Sequence, residues 1–194
     1  MRTYKGKGYQ YAEQDPTIYH GLSGFDVTTG DTGEKSQSFS DEFGKTMCTL
    51  AQNNPKICAI TAAMQNGTGL SEFREKFRGR FFDVGISEEH AVTFAGGLAA
   101  GGMLPVFAVY STFLQRAYDQ LIHDVSMQNT KVILAVDRAG VVGEDGKTHQ
   151  GVFDAAYLQT IPNITVYSPT YFRELNLQLT YLVEKGQGLS LIHI

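Results

Sequence analysis

Residues 105–137 read PVFAVYSTFLQRAYDQLIHDVSMQNTKVILAVD, and this stretch decides the fold. It begins and ends with continuous apolar runs, 106–110 and 132–136, which are typical of parallel strands covered on both faces. The segment between them, about 112–127, repeats apolar residues with the period of an amphipathic helix. These residues are Phe113, Ala117, Leu121 and Val125. Because a strand, a helix and a second buried strand follow one another, the stretch predicts a βαβ unit.

The same alternation continues on both sides of this unit. Further strands are predicted at 57–61, 81–86 and 164–167, and further helices at 40–53, 71–77, from 87 and at 171–184. The fold class is therefore α/β, a parallel sheet flanked by helices. The uncharged run 91–110 contains glycines, Pro105 and a turn, so it predicts a buried helix and strand instead of a membrane span. Open parallel sheets bind ligands beyond the carboxyl ends of their strands, which directs attention to residues after 86, 110 and 137.

Composition limits the possible functions. The chain has 194 residues, 42% of them hydrophobic, which suits one α/β domain with a substantial core. A formal charge of −4 argues against nucleic-acid or anionic-membrane partners. Two cysteines, Cys48 and Cys58, form no disulfide framework or metal-ligand pattern, which indicates a reducing compartment. Residues 1–38 are polar and turn-rich, and they predict a terminal extension or linker.

Two acids, Glu88 and Glu89, follow the predicted strand at 81–86. They could simply complement the dipole of the next helix, with Ser87 as its N-cap, or one of them could face a ligand at the strand end. The helix itself contains AGGLAAGG, residues 95–102. Its small residues predict close packing, either inside the domain or at an interface with another domain or subunit.

The segment after residue 110 offers an aromatic residue and a cation, Phe113 and Arg116. Core packing and a solvated helical charge are the ordinary interpretations of these two residues. Asp119 and His123 stand four residues apart and predict an ordinary helical pair.

The loop RAGVVGEDGKTHQGVFD, residues 138–154, gathers Arg138, Asp145, Lys147 and His149 among glycines. It could be a solvated loop with an Asp-Gly turn, but loops of this length in compact domains are usually functional or disordered. Histidine can act as a general acid or base near neutral pH, and an aspartate can orient it. From the residues alone, the prediction is an α/β enzyme domain for an anionic small molecule, with the reaction open.

Three long motifs carry a resemblance to a known family. FFDVGISEEHAVTFAGGLAAGG, VYSTFLQRAYDQLIHDV and VDRAGVVGEDGKTHQGVFD together resemble the 1-deoxy-D-xylulose-5-phosphate synthases. This family is a transketolase-like, thiamine-diphosphate-dependent group with a thiamin-diphosphate-binding fold. The resemblance implies condensation of pyruvate with glyceraldehyde 3-phosphate and loss of CO2, serving isoprenoid, thiamine and pyridoxal synthesis. Transketolases share the GEDGxTHQ loop, and 2-oxo-acid dehydrogenase β subunits share the acid-containing turn, so both are alternatives, as is a non-catalytic module of this fold.

The resemblance also implies roles for individual residues. Glu88 is the carboxylate that contacts the cofactor's aminopyrimidine and promotes its imino tautomer, and Phe113 is the aromatic platform beneath that ring. Asp145 and His149 position the substrate and manage protons. The remaining contacts are with the cofactor, from Tyr9, and with the substrate, from His20, Tyr110, Arg116 and Arg138.

The resemblance divides the chain into three parts. Residues 1–38 correspond to the tail of a preceding cofactor domain and linker, and 39–186 to the pyrimidine-binding domain. The last residues, 187–194, do not match the family's Tyr-Pro-Arg strand end and suggest a truncation or a sequence artefact.

The resemblance further implies that the preceding domain supplies the Mg²⁺ and diphosphate ligands, and no metal ligand is assigned here. We therefore expect the isolated chain to be inactive and the intact protein to be a cytoplasmic homodimer.

Overall fold

The structure is a computed structural model, and it describes residues 3–20, 24–33, 36–142 and 146–194. Fourteen helices and strands, with three short 3₁₀ or π segments between them, make up this part of the chain. In chain order they are α1 (Gln10–Gln14), α2 (Phe39–Asn53), β1 (Ile57–Thr61), α3 (Ser71–Lys76), a 3₁₀ turn (Arg78–Arg80), β2 (Phe81–Asp83), α4 (Glu88–Ala100), β3 (Leu104–Tyr110), α5 (Ser111–Leu114), a 3₁₀ turn (Gln115–Ala117), α6 (Tyr118–Gln120), a π turn (Leu121–Ser126), β4 (Ile133–Asp137), α7 (Asp154–Leu158), β5 (Ile164–Tyr167), α8 (Phe172–Glu184) and β6 (Leu189–His193).

The strands form one six-stranded sheet in the order β2-β1-β3-β4-β6-β5, and every neighbouring pair is parallel. This confirms the predicted α/β fold. Strands β1 and β4 are buried along their whole length, because apolar clusters cover both faces of the sheet. One cluster centres on α2 and α8, and the other on α4 and the 111–126 segment. All the strands therefore present their carboxyl ends at one edge.

The uncharged run 91–110 forms the end of α4 and the whole of β3, as predicted. Within the described residues, no helix is both long and apolar enough to cross a bilayer. In α4, Gly96 packs against the neighbouring segment, because a Cβ there would lie 2.8 Å from the carbonyl oxygen of Asp124. Gly97 faces open space. Gly96 therefore supports the interpretation of close packing inside the domain.

The segment 112–127 differs from the single α-helix that its periodicity predicts. Its apolar residues do lie on the buried side, but the backbone passes through α5, a 3₁₀ turn, α6 and a π turn. The π turn lies where the Asp124 carbonyl meets Gly96 and where the Asp124 carboxylate accepts a 2.5 Å hydrogen bond from Thr93. The predicted pair is confirmed, with His123 Nδ1 3.0 Å from the Asp119 carboxylate. Periodicity thus identified the buried face but not the 3₁₀ and π turns of the backbone.

The carboxyl-terminal boundary needs a correction. Residues 187–194 were expected to fall outside the domain, yet β6 pairs with β4 on one side and β5 on the other. The first four of its five residues are buried, because the strand that follows Gly188 lies between β4 and β5, which do not pair with each other. The sheet therefore extends at least to His193.

The side chain of Arg80 ties the end of α2 to the start of β1. Its guanidinium donates to the carbonyl oxygens of Ala51, Asn54 and Ile57 at 2.9–3.0 Å and lies 4.6 Å from the centre of the Phe77 ring. The three carbonyls belong to the last turn of α2, to the residue after it and to the first residue of β1. At the end of a helix, backbone carbonyls lack helical hydrogen-bond partners. Arg80 therefore supplies charged donors to three backbone carbonyls, of which that of Asn54 also accepts from the Ile57 N–H at 3.3 Å.

We predict that Arg80→Ala lowers the free energy of unfolding by about 2 kcal/mol, since it removes charged donors from three carbonyls. Urea unfolding followed by circular dichroism measures this. Arg78→Ala is the matched control, because Arg78 is exposed in the same short turn, and its effect should stay within about 0.5 kcal/mol. Equal losses in the two variants would contradict the capping role.

Candidate functional site

The carboxylate of Glu88 is buried at the start of α4, just beyond the end of β2. Its neighbour Glu89 is exposed, so the structure distinguishes the two acids. Oε1 of Glu88 accepts a 2.8 Å hydrogen bond from Arg116, whereas Oε2 has no hydrogen-bond partner among the described residues. A buried carboxylate oxygen without a partner is energetically costly, and in native proteins it calls for an explanation such as a ligand. Complementing the helix dipole would not require this burial.

A stack of two aromatic rings lies beside this carboxylate, and each ring is contacted by a guanidinium group. The rings of Phe113 and Tyr110 are nearly parallel, 18° apart, with centroids separated by 6.0 Å. Arg116 lies 4.8 Å from the centre of the Phe113 ring, and Arg138 lies 4.4 Å from that of Tyr110. Both distances are within the range of cation–π attraction. The stack therefore presents flat aromatic surface flanked by positive charge.

His149 adds a titratable group to the same stack. Its ring meets Phe113 edge-on, at 78° and 5.5 Å between centroids, and its Nδ1 is 2.8 Å from the hydroxyl of Thr148. Asp145, the predicted companion of His149, lies outside the described residues. The structure thus brings together Glu88, Phe113, Tyr110, Arg116, Arg138 and His149.

Asp154 was missed as a site residue by the sequence analysis. It is buried at the start of α7, and its Oδ1 accepts a 2.6 Å hydrogen bond from Ser111, directly after β3. A Cβ on Gly151 would lie 2.6 Å from the same hydroxyl, so this position has no room for a side chain. This contact fixes the turn that carries Tyr110 and Phe113. The sequence signal was the GVFD end of the loop motif, residues 151–154, to which no chemistry had been attached.

The backbone of Arg138 is held in an unusual conformation. Its φ is +59°, in the left-handed region that residues other than glycine seldom adopt. Asp137 accepts from the Arg138 N–H at 2.7 Å and from the Ser40 hydroxyl at 2.7 Å. Two 2.8 Å backbone hydrogen bonds between Gly140 and Gly151 close the base of the loop. Strained backbone of this kind is concentrated at functional sites.

An open cavity of about 750 Å³ lies at this edge of the sheet. Its lining includes Ser40, Asp137, Arg138 and Asp154, but neither Glu88 nor Phe113. Arg138 therefore belongs to both the cavity wall and the aromatic stack. A positively charged side chain shared by two neighbouring regions suits a site that binds one end of an anionic molecule.

Tyr9 and His20 lie in a separate part of the structure. The ring of Tyr9 packs with Tyr11, Tyr19 and Phe25, and its hydroxyl donates to the carbonyl of Val27 at 3.0 Å. Among the described residues, no hydrogen bond or ring contact joins Tyr9 or His20 to the Glu88 site. Their cofactor and substrate roles stay predictions. Across all the residues that the structure describes, no group of three or more His, Cys, Asp or Glu residues could hold a metal ion.

The fold and the site together define a class: a parallel α/β domain with a buried acid and an aromatic platform at the carboxyl edge of its sheet. Residues 35–192 match the family described as transketolase, pyrimidine binding domain. The chain therefore belongs to this family. The parallel sheet flanked by helices, which the resemblance implied, is the fold that the structure shows.

Several curated relatives are more than half identical to this chain in sequence. A 1-deoxy-D-xylulose-5-phosphate synthase of Clostridium acetobutylicum is 56% identical over 191 residues, covering 98% of this chain and 31% of the relative. The enzyme of the same name from Symbiobacterium thermophilum is 63% identical over 177 residues, covering 91% of this chain and 27% of the relative. The chain therefore spans less than a third of the length of these relatives.

Solved structures agree on the fold. A structure described as a split gene transketolase, inactive beta4 tetramer, superposes with a TM-score of 0.72 at 27% identity, covering 82% of this chain and 51% of that one. Transketolase from Leishmania mexicana gives a TM-score of 0.72 at 21% identity, covering 82% and 26%. The second likeness concerns the fold alone.

We predict that Asp154→Ala lowers the free energy of unfolding by about 2–3 kcal/mol, because it leaves the buried Ser111 hydroxyl without its acceptor. Urea unfolding monitors the change. Asp119→Ala is the control, since Asp119 is exposed and makes only a helical pair with His123, so its effect should stay within about 0.5 kcal/mol. A loss for Asp154→Ala no larger than that of the control would contradict the anchoring role.

Proposed function

We propose that this chain is the pyrimidine-binding part of a 1-deoxy-D-xylulose-5-phosphate synthase, which condenses pyruvate with glyceraldehyde 3-phosphate and releases CO2. The close relatives bearing that name, 56% and 63% identical over most of the chain, support this choice over the more distant transketolases. The observation that carries the proposal is the buried Glu88 carboxylate with one unpaired oxygen. The product would serve isoprenoid, thiamine and pyridoxal synthesis.

The residues present fit an aminopyrimidine of thiamine diphosphate. Such a ring offers a nitrogen that can share a proton with a carboxylate, and Oε2 of Glu88 lacks a hydrogen-bonding partner among the described residues. It also needs an apolar flat surface, which Phe113 supplies while remaining partly accessible. In the described chain, these two groups are connected through Arg116, which contacts both.

When bound, thiamine diphosphate would supply a nucleophilic carbon for the reaction with the keto group of pyruvate. The chain's own residues then have distinct tasks. Glu88 holds the proton shared with the pyrimidine ring, and Arg116 orients the carboxylate through Oε1. Phe113 holds the ring plane. His149, in contact with Phe113, is placed to move a proton near the reacting groups, with Asp145 as its expected companion.

The charges of the site suit the proposed substrates. Pyruvate carries a carboxylate and glyceraldehyde 3-phosphate carries a phosphate, and both anions are ligands that guanidinium groups bind well. Arg116 and Arg138 supply two such groups, one beside each ring of the aromatic stack. Tyr110 lies beside Arg138 and is proposed to line the substrate pocket with it.

The intact enzyme would combine this chain with further parts. We assign the ligands of Mg²⁺ and of the diphosphate to a preceding domain, with residues 1–38 as its tail and linker. Tyr9 and His20 would reach the site from that part of the protein. The assembly is proposed to be a cytoplasmic homodimer.

We predict that Glu88→Gln in the full-length protein lowers kcat for pyruvate and glyceraldehyde 3-phosphate on the order of 100-fold, because the amide cannot hold the proton. Coupled assay of the product measures kcat. Glu89→Gln is the matched control, since this exposed neighbour should change kcat by less than about threefold. Near-normal turnover by Glu88→Gln would overturn the assigned role.

We further predict that this chain alone does not consume pyruvate in the presence of glyceraldehyde 3-phosphate, thiamine diphosphate and Mg²⁺. The reason is that the chain's residues would hold only the pyrimidine end of the cofactor, whereas the ligands of Mg²⁺ and of the diphosphate are proposed to lie on a preceding domain. Release of labelled CO2 from [1-¹⁴C]pyruvate provides the measurement. Turnover by the chain alone would contradict the division of the site between two domains.

A further inference from the structure

The loop after β1, residues 62–70, is packed tightly against α2. A Cβ on Gly69 would overlap the carbonyl oxygen of Ser40, and a Cβ on Gly44 would overlap the carbonyl oxygen of Gly69. Inside the loop, the N–H and the hydroxyl of Thr68 both donate to the carbonyl of Met64, at 3.0 and 2.9 Å. The backbone of this loop therefore has little freedom to move.

Gly67 lies in this loop and directly faces Tyr110. A Cβ on Gly67 would overlap the Tyr110 hydroxyl and would lie 2.7 Å from the ring carbon Cζ that carries it. Because the loop backbone is fixed, the tyrosine ring would have to move if residue 67 acquired a side chain. The ring is the far end of a rotatable side chain, so its displacement is easier than displacement of the loop.

Movement of Tyr110 would disturb both of its neighbours in the stack. The ring centre lies 4.4 Å from the Arg138 guanidinium, and the ring is nearly parallel to that of Phe113. Phe113 keeps two further contacts, with Arg116 and His149, and it does not depend on Tyr110 alone. Displacement of the Tyr110 ring would therefore change the cation–π contact with Arg138 directly.

We propose that Gly67 is a positioning residue, whose missing side chain sets the ring of Tyr110 and, through it, the guanidinium of Arg138 for binding the substrate's anionic group. The inference rests on the proposed function for its substrate, but the contact itself is a property of this chain. It assigns to the loop after β1 a part in substrate binding that is separate from pyrimidine binding.

The contact is tested first in this chain without any ligand. Tyrosine labelled with ¹³C at Cζ gives one signal for each of ten tyrosines, and loss of a signal in Tyr110→Phe assigns Tyr110. Gly67→Ala should shift the Tyr110 signal, whereas Gly79→Ala should leave it in place, because a Cβ at the exposed Gly79 meets nothing within 4 Å. An unshifted Tyr110 signal in Gly67→Ala would overturn the proposal.

The consequence is tested in the full-length protein. Gly67→Ala should raise KM for glyceraldehyde 3-phosphate about tenfold while leaving the Kd of thiamine diphosphate, measured by calorimetry, within about twofold. Equal weakening of cofactor and substrate would indicate a merely structural role and overturn the proposal. An unaltered protein without activity on pyruvate and glyceraldehyde 3-phosphate would refute the proposed function instead, and the spectroscopic result would still decide the contact.

A folding defect in Gly67→Ala would also be informative. Adding Tyr110→Ala removes the hydroxyl and the ring carbons that collide with the new methyl group, so the double variant should recover folded protein. The thermal midpoint should fall less on Gly67→Ala in the Tyr110→Ala background than in the original chain. Equal falls in both backgrounds would show that the methyl group disturbs something other than Tyr110.

Discussion

The ion pair between Glu88 and Arg116 is the interaction on which the arrangement of the site depends. It joins the start of α4 to the segment after β3, two parts of the chain that β1 separates in the sheet. Arg116 also contacts the ring of Phe113, so the carboxylate and the aromatic surface are fixed relative to each other. The pair uses Oε1 alone, so the carboxylate is oriented while its Oε2 keeps no hydrogen-bond partner among the described residues.

The sheet explains why such distant residues meet. Neighbouring parallel strands end at the same edge. Tyr110 of β3 pairs with Asp137 of β4, and Asp83 of β2 is level with Ala108, two residues before Tyr110. Each strand is followed by a group that contributes to the site: Glu88 after β2, Phe113 after β3 and Arg138 after β4. Hydrogen bonds from Ser40 to Asp137 and from Ser111 to Asp154 then hold the turns at the ends of β4 and β3, which strand pairing alone would not fix.

Much of this arrangement was predictable because it depends on local pattern and strand order. Continuous apolar runs identified β1, β3 and β4, and strand ends directed attention to Glu88, Phe113 and Arg138. The packing of Gly67 against Tyr110 was not predictable, since it joins residues far apart in sequence and leaves no trace in periodicity. The π turn has the same origin, and β6 was missed because its sequence departs from the resembled motif.

Gly151 and Gly67 act on different parts of Arg138. The backbone of Gly151 packs so closely against the carbonyl oxygen of Arg138 that a Cβ would not fit, and this contact constrains the Arg138 backbone. Gly67 packs in the same way against the Tyr110 ring, which contacts the Arg138 guanidinium. A left-handed backbone and a cation–π contact together restrict an arginine that would otherwise lose considerable side-chain entropy on binding an anion. Such preorganisation favours binding of one substrate geometry, because much of the ordering is already present before the anion arrives.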